Sequence, residues 1–241
     1  MTAGAHTSIN GTARRAGVLY LSLLPFGIFS FVYVPSVLLV RGDTAATSSR
    51  ILASETLFRS ATISHLISQV IVVFLVLTLY RIFSPVNQKR AVLMVVLALL
   101  CVPISFLNEV HNLVALRALR ADDGVFTTTQ LQAQAMLFLD MARDGVLIAQ
   151  VFWGLWMLPL AFLIFRSQFL PRFLGVTVLI TGVGYLVDSC LQLMSPGAPM
   201  ISKPTILAEL ALPLWLVIKR VDAERWQQVA RASPDRPGAA P

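Results

Sequence analysis

Long apolar stretches separated by short polar links set the pattern of this chain. The run VLIAQVFWGLWMLPLAFLIF, Val146 to Phe165, holds no charged residue in 20 positions. A helix of that length spans roughly 30 Å, the thickness of a bilayer's hydrocarbon core. The connector RSQFLPR (Arg166 to Arg172) follows, then a second apolar run from Phe173 to Met194 broken only by Asp188 and Gln192. So tight a turn between two bilayer-length runs predicts an antiparallel transmembrane hairpin. Applied along the chain, the same reading predicts six spans: Ala16–Val40, Ser60–Tyr80, Ala91–His111, Val146–Phe165, Phe173–Met194 and Lys203–Ile218. The expected fold is all-α, a six-helix transmembrane bundle.

Between the spans the pattern changes. Residues 1–13 are small and polar without apolar periodicity, which predicts an unstructured lead-in to a domain over 14–218. The first span is too long for a signal-peptide core, so it reads as a retained anchor, with kinks expected at Pro25 and Pro35. ILASETLFR predicts a short interfacial helix, and Gln130 to Asp144 an amphipathic helix leading into the fourth span. A basic tail, 219–241, closes the chain, with Trp226 as an interface anchor and SPDRPGAAP as a flexible end.

Composition agrees: 56% of the 241 residues are hydrophobic and 13% charged, against about a quarter charged in soluble domains. The net charge of +7 is no nucleic-acid footprint, because the Lys and Arg sit between spans, where they orient a membrane protein. Six spans put both termini on one side, with Arg14, Arg15, Arg81, Lys89, Arg90, Arg166, Arg172, Lys219, Arg220 and Arg225. Arg41, Arg50, Arg59, Arg117, Arg120, Arg143 and Lys203 fall on the other. The positive-inside rule then places the termini in the cytoplasm and the protein in the cytoplasmic membrane. Cys101 and Cys190, at different depths, read as small buried hydrophobes.

FWGLWMLPL (Phe152 to Leu160), RSQFLPRFLG (Arg166 to Gly175) and GVGYLVDS (Gly182 to Ser189) resemble the signature of a bacterial membrane-protein family. ILASETLFR and LYRIFSPVNQ fit it too. That family is catalogued as domain of unknown function 4386, and the resemblance covers about residues 14–218. It implies a multi-spanning membrane protein and transfers no activity, cofactor or catalytic residue.

Ionisable groups gather in what this topology makes the outer halves of the spans. His65 and Gln69 share a face of the second span; Ser105, Asn108 and Asn112 share one on the third, with Glu109 beside them and His111 at its end. Asp140 and Asp144 stand at the entry to the fourth. Thr177, Thr181, Gly184, Asp188 and Gln192 form a small-and-polar stripe on the fifth, and Glu209 lies in the sixth. Charged groups in hydrocarbon are costly, so they are expected to face an interior. The expectation is one extracytoplasmic vestibule lined by His65, Glu109, Asp188 and Glu209, with His111 a further candidate ligand residue, binding or moving a small molecule, cation or proton. Gln69, Asn108, Asn112 and Gln192 would support it or serve as interhelical glue. Asp140 and Asp144 would support it or form, with Arg143, a solvated helix start with an i,i+3 ion pair.

No Walker loop, GxGxxG, GxSxG, HExxH or CxxC occurs, so no cofactor and no resident metal are expected. The alternative from another class is an intramembrane metal-dependent hydrolase using His65, His111, Glu109, Asp188 or Glu209 as ligands. A membrane scaffold without activity of its own is the third reading.

Overall fold

The computed structural model describes residues 3–121, 124–195, 197–201 and 208–232, and no strand occurs among them. The helices are α1 (Ala3–Ile28), α2 (Val34–Leu38), α3 (Thr44–Ala53), α4 (Glu55–Phe83), α5 (Gln88–Arg120), α6 (Thr128–Ser167), α7 (Arg172–Met194), α8 (Ala211–Ile218) and α9 (Ala223–Ala232). Among the described residues five helical segments are long and apolar enough to cross a membrane: Ile9–Leu38, Glu55–Phe83, Gln88–Arg120, Thr128–Ser167 and Arg172–Met194. The expected sixth span, Lys203–Ile218, is described only from residue 208 onward. Residues 202–207 are outside the described residues, and α8, with 8 residues, is about 12 Å long.

Burial runs opposite to that of a water-soluble domain. On α4, Ile63, Ile67, Val70, Phe74 and Leu77 are exposed while Thr62, Ser64, His65, Ser68 and Gln69 are buried. On α7, Val176, Leu179, Ile180, Val183, Val187 and Leu191 face out, whereas Thr181, Gly184 and Asp188 are buried. Steps of three and four residues place each set on one face. Such outward apolar faces suit contact with acyl chains. Of the cysteines, Cys101 is buried but Cys190 is exposed on the outward side of α7, so only the first behaves as expected.

Several boundaries differ from those read in the sequence. Helix α1 begins at Ala3, inside the expected lead-in, and Ile9, Ala13, Ala16 and Tyr20 are buried on it. Ala13 and Ala16 are small enough to let this face pack without a continuous apolar run. A π-helical turn, Phe29–Tyr33, separates α1 from α2, and the Val34 N–H donates to the Phe29 carbonyl. Pro35 lacks an N–H and crowds the preceding turn, and a wider turn just before it relieves that clash. α5 runs on to Arg120 and α6 begins at Thr128 as one helix of 40 residues. Hydropathy marks where a helix leaves the apolar layer, not where it stops.

Contacts divide the chain into two compact units. One comprises Leu23–Val70 and Val102–Ala149. Its apolar cluster of Val34, Leu38, Ile51, Phe58 and Leu116 packs beside Phe29 and Leu139. Asp43 caps α3 by accepting from the Ala46 N–H at 2.8 Å. Glu55 pairs with Arg59 at 2.7 Å and with Arg120 at 3.2 Å. Exposed pairs of this kind add little energy, but they join the start of α4 to the end of α5.

The other unit comprises Met1–Ser22, Ile71–Cys101 and Gln150–Pro241. Its α6 and α7 form the expected hairpin, closed by the four residues 168–171. Gln168 takes a left-handed φ of 59°, a conformation that favours glycine. It is held by the Arg225 guanidinium, which donates to its carbonyl at 3.2 Å. Pro171, at φ −65°, starts α7. The hairpin closes so tightly that a Cβ on Gly154 would lie 2.6 Å from the Gly182 carbonyl oxygen. At the same end of this unit the Asp222 N–H donates to the Phe169 carbonyl at 3.2 Å. There too the Trp226 indole N–H donates to the Ile82 carbonyl at 2.9 Å. Trp226 therefore ties α9 to the end of α4. The flexible end expected at 233–241 lies outside the described residues.

Candidate functional site

Each polar site is built within one unit. In the unit of Leu23–Val70 and Val102–Ala149, His65 and Gln69 stand one turn apart on α4. Glu109 and Asn112 stand three apart on α5. His65 Nδ1 lies 2.5 Å from Glu109 Oε1, and the residues are only 3% and 6% exposed. Gln69 Nε2 lies 3.1 Å from His65 Nε2. Asn112 Nδ2 donates to Glu109 Oε2 at 3.1 Å. The assigned arrangement is self-consistent for a neutral imidazole: Nδ1–H donates to the carboxylate, and Nε2 accepts from the Gln69 amide. The Phe31 ring meets the imidazole edge-on at 4.9 Å. Both carboxylate oxygens and both ring nitrogens are thus engaged.

This network borders donors that are not satisfied. Asn108 Nδ2 and Ser105 Oγ are buried without a hydrogen-bond partner among the described residues. Asn108 fills the room left by Gly145 of α6, where a Cβ would stand 1.9 Å from its Oδ1. Such orphaned groups in an apolar helix are places for water or a small polar ligand. His111 Nδ1 is also buried and unpartnered; two residues beyond Glu109, it lies about 200° around the helix from it.

Asp140 and Asp144 are exposed and pair with Arg143 at 3.2 and 3.8 Å. They form a solvated ion-pair cluster on α6. A cavity of about 380 Å³ opens among Ser48, Leu52, Leu119, Thr128, Leu131 and Gln132, and none of the expected site residues lines it.

The second site lies in the unit of Met1–Ser22, Ile71–Cys101 and Gln150–Pro241. Glu209 accepts from the Tyr20 hydroxyl at 2.8 Å through Oε1 and from the Tyr185 hydroxyl at 2.6 Å through Oε2. Trp156 packs against Tyr20 and Trp153 against Tyr185, with ring centres 6.3 and 6.2 Å apart. Neither tyrosine emerged as a site residue from the sequence. The available signal was chemical: a phenol hydroxyl buried in an apolar span needs a partner.

Asp188, 1% exposed, accepts from the Ile201 N–H at 2.7 Å. Gln192 donates to the Ala198 carbonyl and accepts from the Gly197 N–H. Both side chains hold the segment after α7 against that helix. His65 with Glu109, Glu209 with two tyrosines, and Asp188 with a backbone N–H each have partners inside their own unit. Among the described residues no three His, Cys, Asp or Glu side chains gather to hold a metal.

A family model, Domain of unknown function (DUF4386), matches residues 15–219. A protein of Archaeoglobus fulgidus, named only as uncharacterized, is 29% identical over 96 residues, 40% of this chain and 57% of that relative. The match thus spans little more than half of the relative's length. No solved structure matches the chain.

Proposed function

The chain belongs to the DUF4386 family, and on that premise we propose a six-crossing membrane protein that takes up and releases a proton at His65–Glu109. The reading is carried by that buried pair at 2.5 Å inside helices whose outer faces are apolar. Without the added proton the pair holds one negative charge; with it the pair is neutral overall. A net charge in a low-dielectric span is costly. Release of the proton is therefore favoured when a small cation or cationic ligand arrives beside Glu109 to replace it. Gln69 can serve both states, donating to Nε2 of a neutral ring or, after rotation of its amide, accepting from Nε2–H of an imidazolium.

Proteoliposomes carrying a pH-sensitive dye test the reading, with a potassium diffusion potential as the driving force. The wild-type chain should pass protons well above empty liposomes, and Glu109→Gln should reduce that flux at least about tenfold, as loss of one proton-transfer group does in other sites. Wild-type flux equal to that of empty liposomes sinks the proposal.

Parity of the crossings has its own support. Ile201 bonds to Asp188 near the end of α7, whereas Asp222 bonds to Phe169 just before its start. Between these two points in the chain α8 packs on α7, which favours a return toward the start of that helix. α1 packs antiparallel to that return, with Gly17 against Pro213 and Tyr20 against Glu209. Both observations favour termini on one side, and the Lys and Arg clustered there favour the cytoplasm. In a background lacking Cys101 and Cys190, a membrane-impermeant maleimide on intact cells should label Gly124→Cys and spare Asn87→Cys and Gln228→Cys. Labelling of Gln228→Cys with Asn87→Cys spared would mean five crossings.

A further inference from the structure

We infer that the end of the protein holding the 81–90 and 166–172 links binds an anionic phospholipid, its phosphate held between Arg90 and Arg166. The guanidinium carbon of Arg90 lies 3.8 Å from the centre of the Phe162 ring, and that of Arg166 lies 5.7 Å from it. The two positive groups can be no farther apart than the sum of those distances, which is close to the screening length at physiological salt, so they repel one another in part. No carboxylate pairs with either arginine among the described residues. Stacking on one ring offsets part of that repulsion. A phosphate monoanion offsets it directly, through charge-assisted hydrogen bonds from two forked donors.

The surroundings select a lipid over free phosphate. Arg90 stands at the start of α5, and Leu93, Val96 and Leu100 continue outward along that helix as exposed apolar residues. A headgroup phosphate on the arginines thus has an apolar track beside it for acyl chains. α9, anchored through Trp226 to the end of α4, carries the exposed Arg225 and Arg231, of which Arg225 pairs with Asp222. Basic pockets at the ends of transmembrane helices recognise anionic headgroups in this way. The inference rests on membrane insertion and not on proton uptake at His65.

Thermal unfolding of the full chain in detergent, with phosphatidylglycerol or phosphatidylcholine added, tests it. Phosphatidylglycerol near a hundredfold excess over its dissociation constant should raise Tm by on the order of 5 °C relative to phosphatidylcholine. Arg90→Gln with Arg166→Gln should keep the Tm in phosphatidylcholine and lose that increment. Equal effects of the two lipids, or a double variant that keeps the increment, overturn the inference. So does an equal rise with soluble glycerol phosphate, which would make the ligand a free phosphate. Should the variant not fold, native mass spectrometry of the wild type with equimolar lipids decides: phosphatidylglycerol adducts should dominate, and equal retention refutes the site.

Discussion

His65→Leu should cost about 3–5 kcal/mol of stability, the penalty of leaving a buried carboxylate without its partner. Glu109, 6% exposed, would keep its bond from Asn112 but lose the closest donor it has. Glu109→Gln should cost less, because the amide oxygen can still accept from Nδ1–H. The double change His65→Leu with Glu109→Met removes both polar groups and should return most of the lost stability. Titration from mild into denaturing micelles measures all four proteins. A His65→Leu chain as stable as the wild type would mean the pair is neither as buried nor as coupled as its geometry indicates. Proton flux separates stability from function: the double variant should fold and be inactive.

The second large effect is expected in the hairpin. Gly154→Leu should destabilise by about 3 kcal/mol or more, the upper range for overpacking, or abolish accumulation in the membrane. A Cβ there would stand 2.6 Å from the Gly182 carbonyl oxygen and 2.7 Å from Leu186 Cγ, and a Cβ on Gly182 would meet Met157 Cβ at 2.8 Å. Backbone atoms cannot yield as a flexible side chain does, so α6 and α7 would have to separate. Leu179→Ala, on the outward face, should be nearly neutral in lipid. Melting curves of the two variants in the same detergent compare them directly, and equal midpoints would mean that the helices do not pack as closely as the glycines indicate.

Much of the polar arrangement was legible because helical periodicity reports faces. The four-residue step from His65 to Gln69 and the small stripe through Thr181, Gly184 and Asp188 both turned out to point inward. Pairing across the chain was not legible. Glu209 meets Tyr20 across 189 residues and Glu55 meets Arg120 across 65, and no local pattern encodes such a meeting. Asp188 looked like an isolated acid in an apolar run, yet its partner is a backbone N–H, which side-chain chemistry does not announce. The close approach of the hairpin also eluded the pattern. Gly154 sits among large aromatics in FWGLW, and nothing in that pattern marks it as the point of closest approach.

The outward apolar faces of α4 and α7 carry a thermodynamic consequence. In a water-soluble domain, unfolding wets the apolar core, and the resulting heat capacity bends the stability curve into a dome. In a bilayer these apolar side chains would already face acyl chains, which are as apolar as the residues themselves. Loosening the helices within lipid moves little apolar surface into water, so the heat-capacity change should be small. Stability should then vary almost linearly with temperature, governed by packing contacts and hydrogen bonds such as those around Glu109. The fading of the hydrophobic effect on cooling, which weakens soluble domains, should leave these helices nearly untouched.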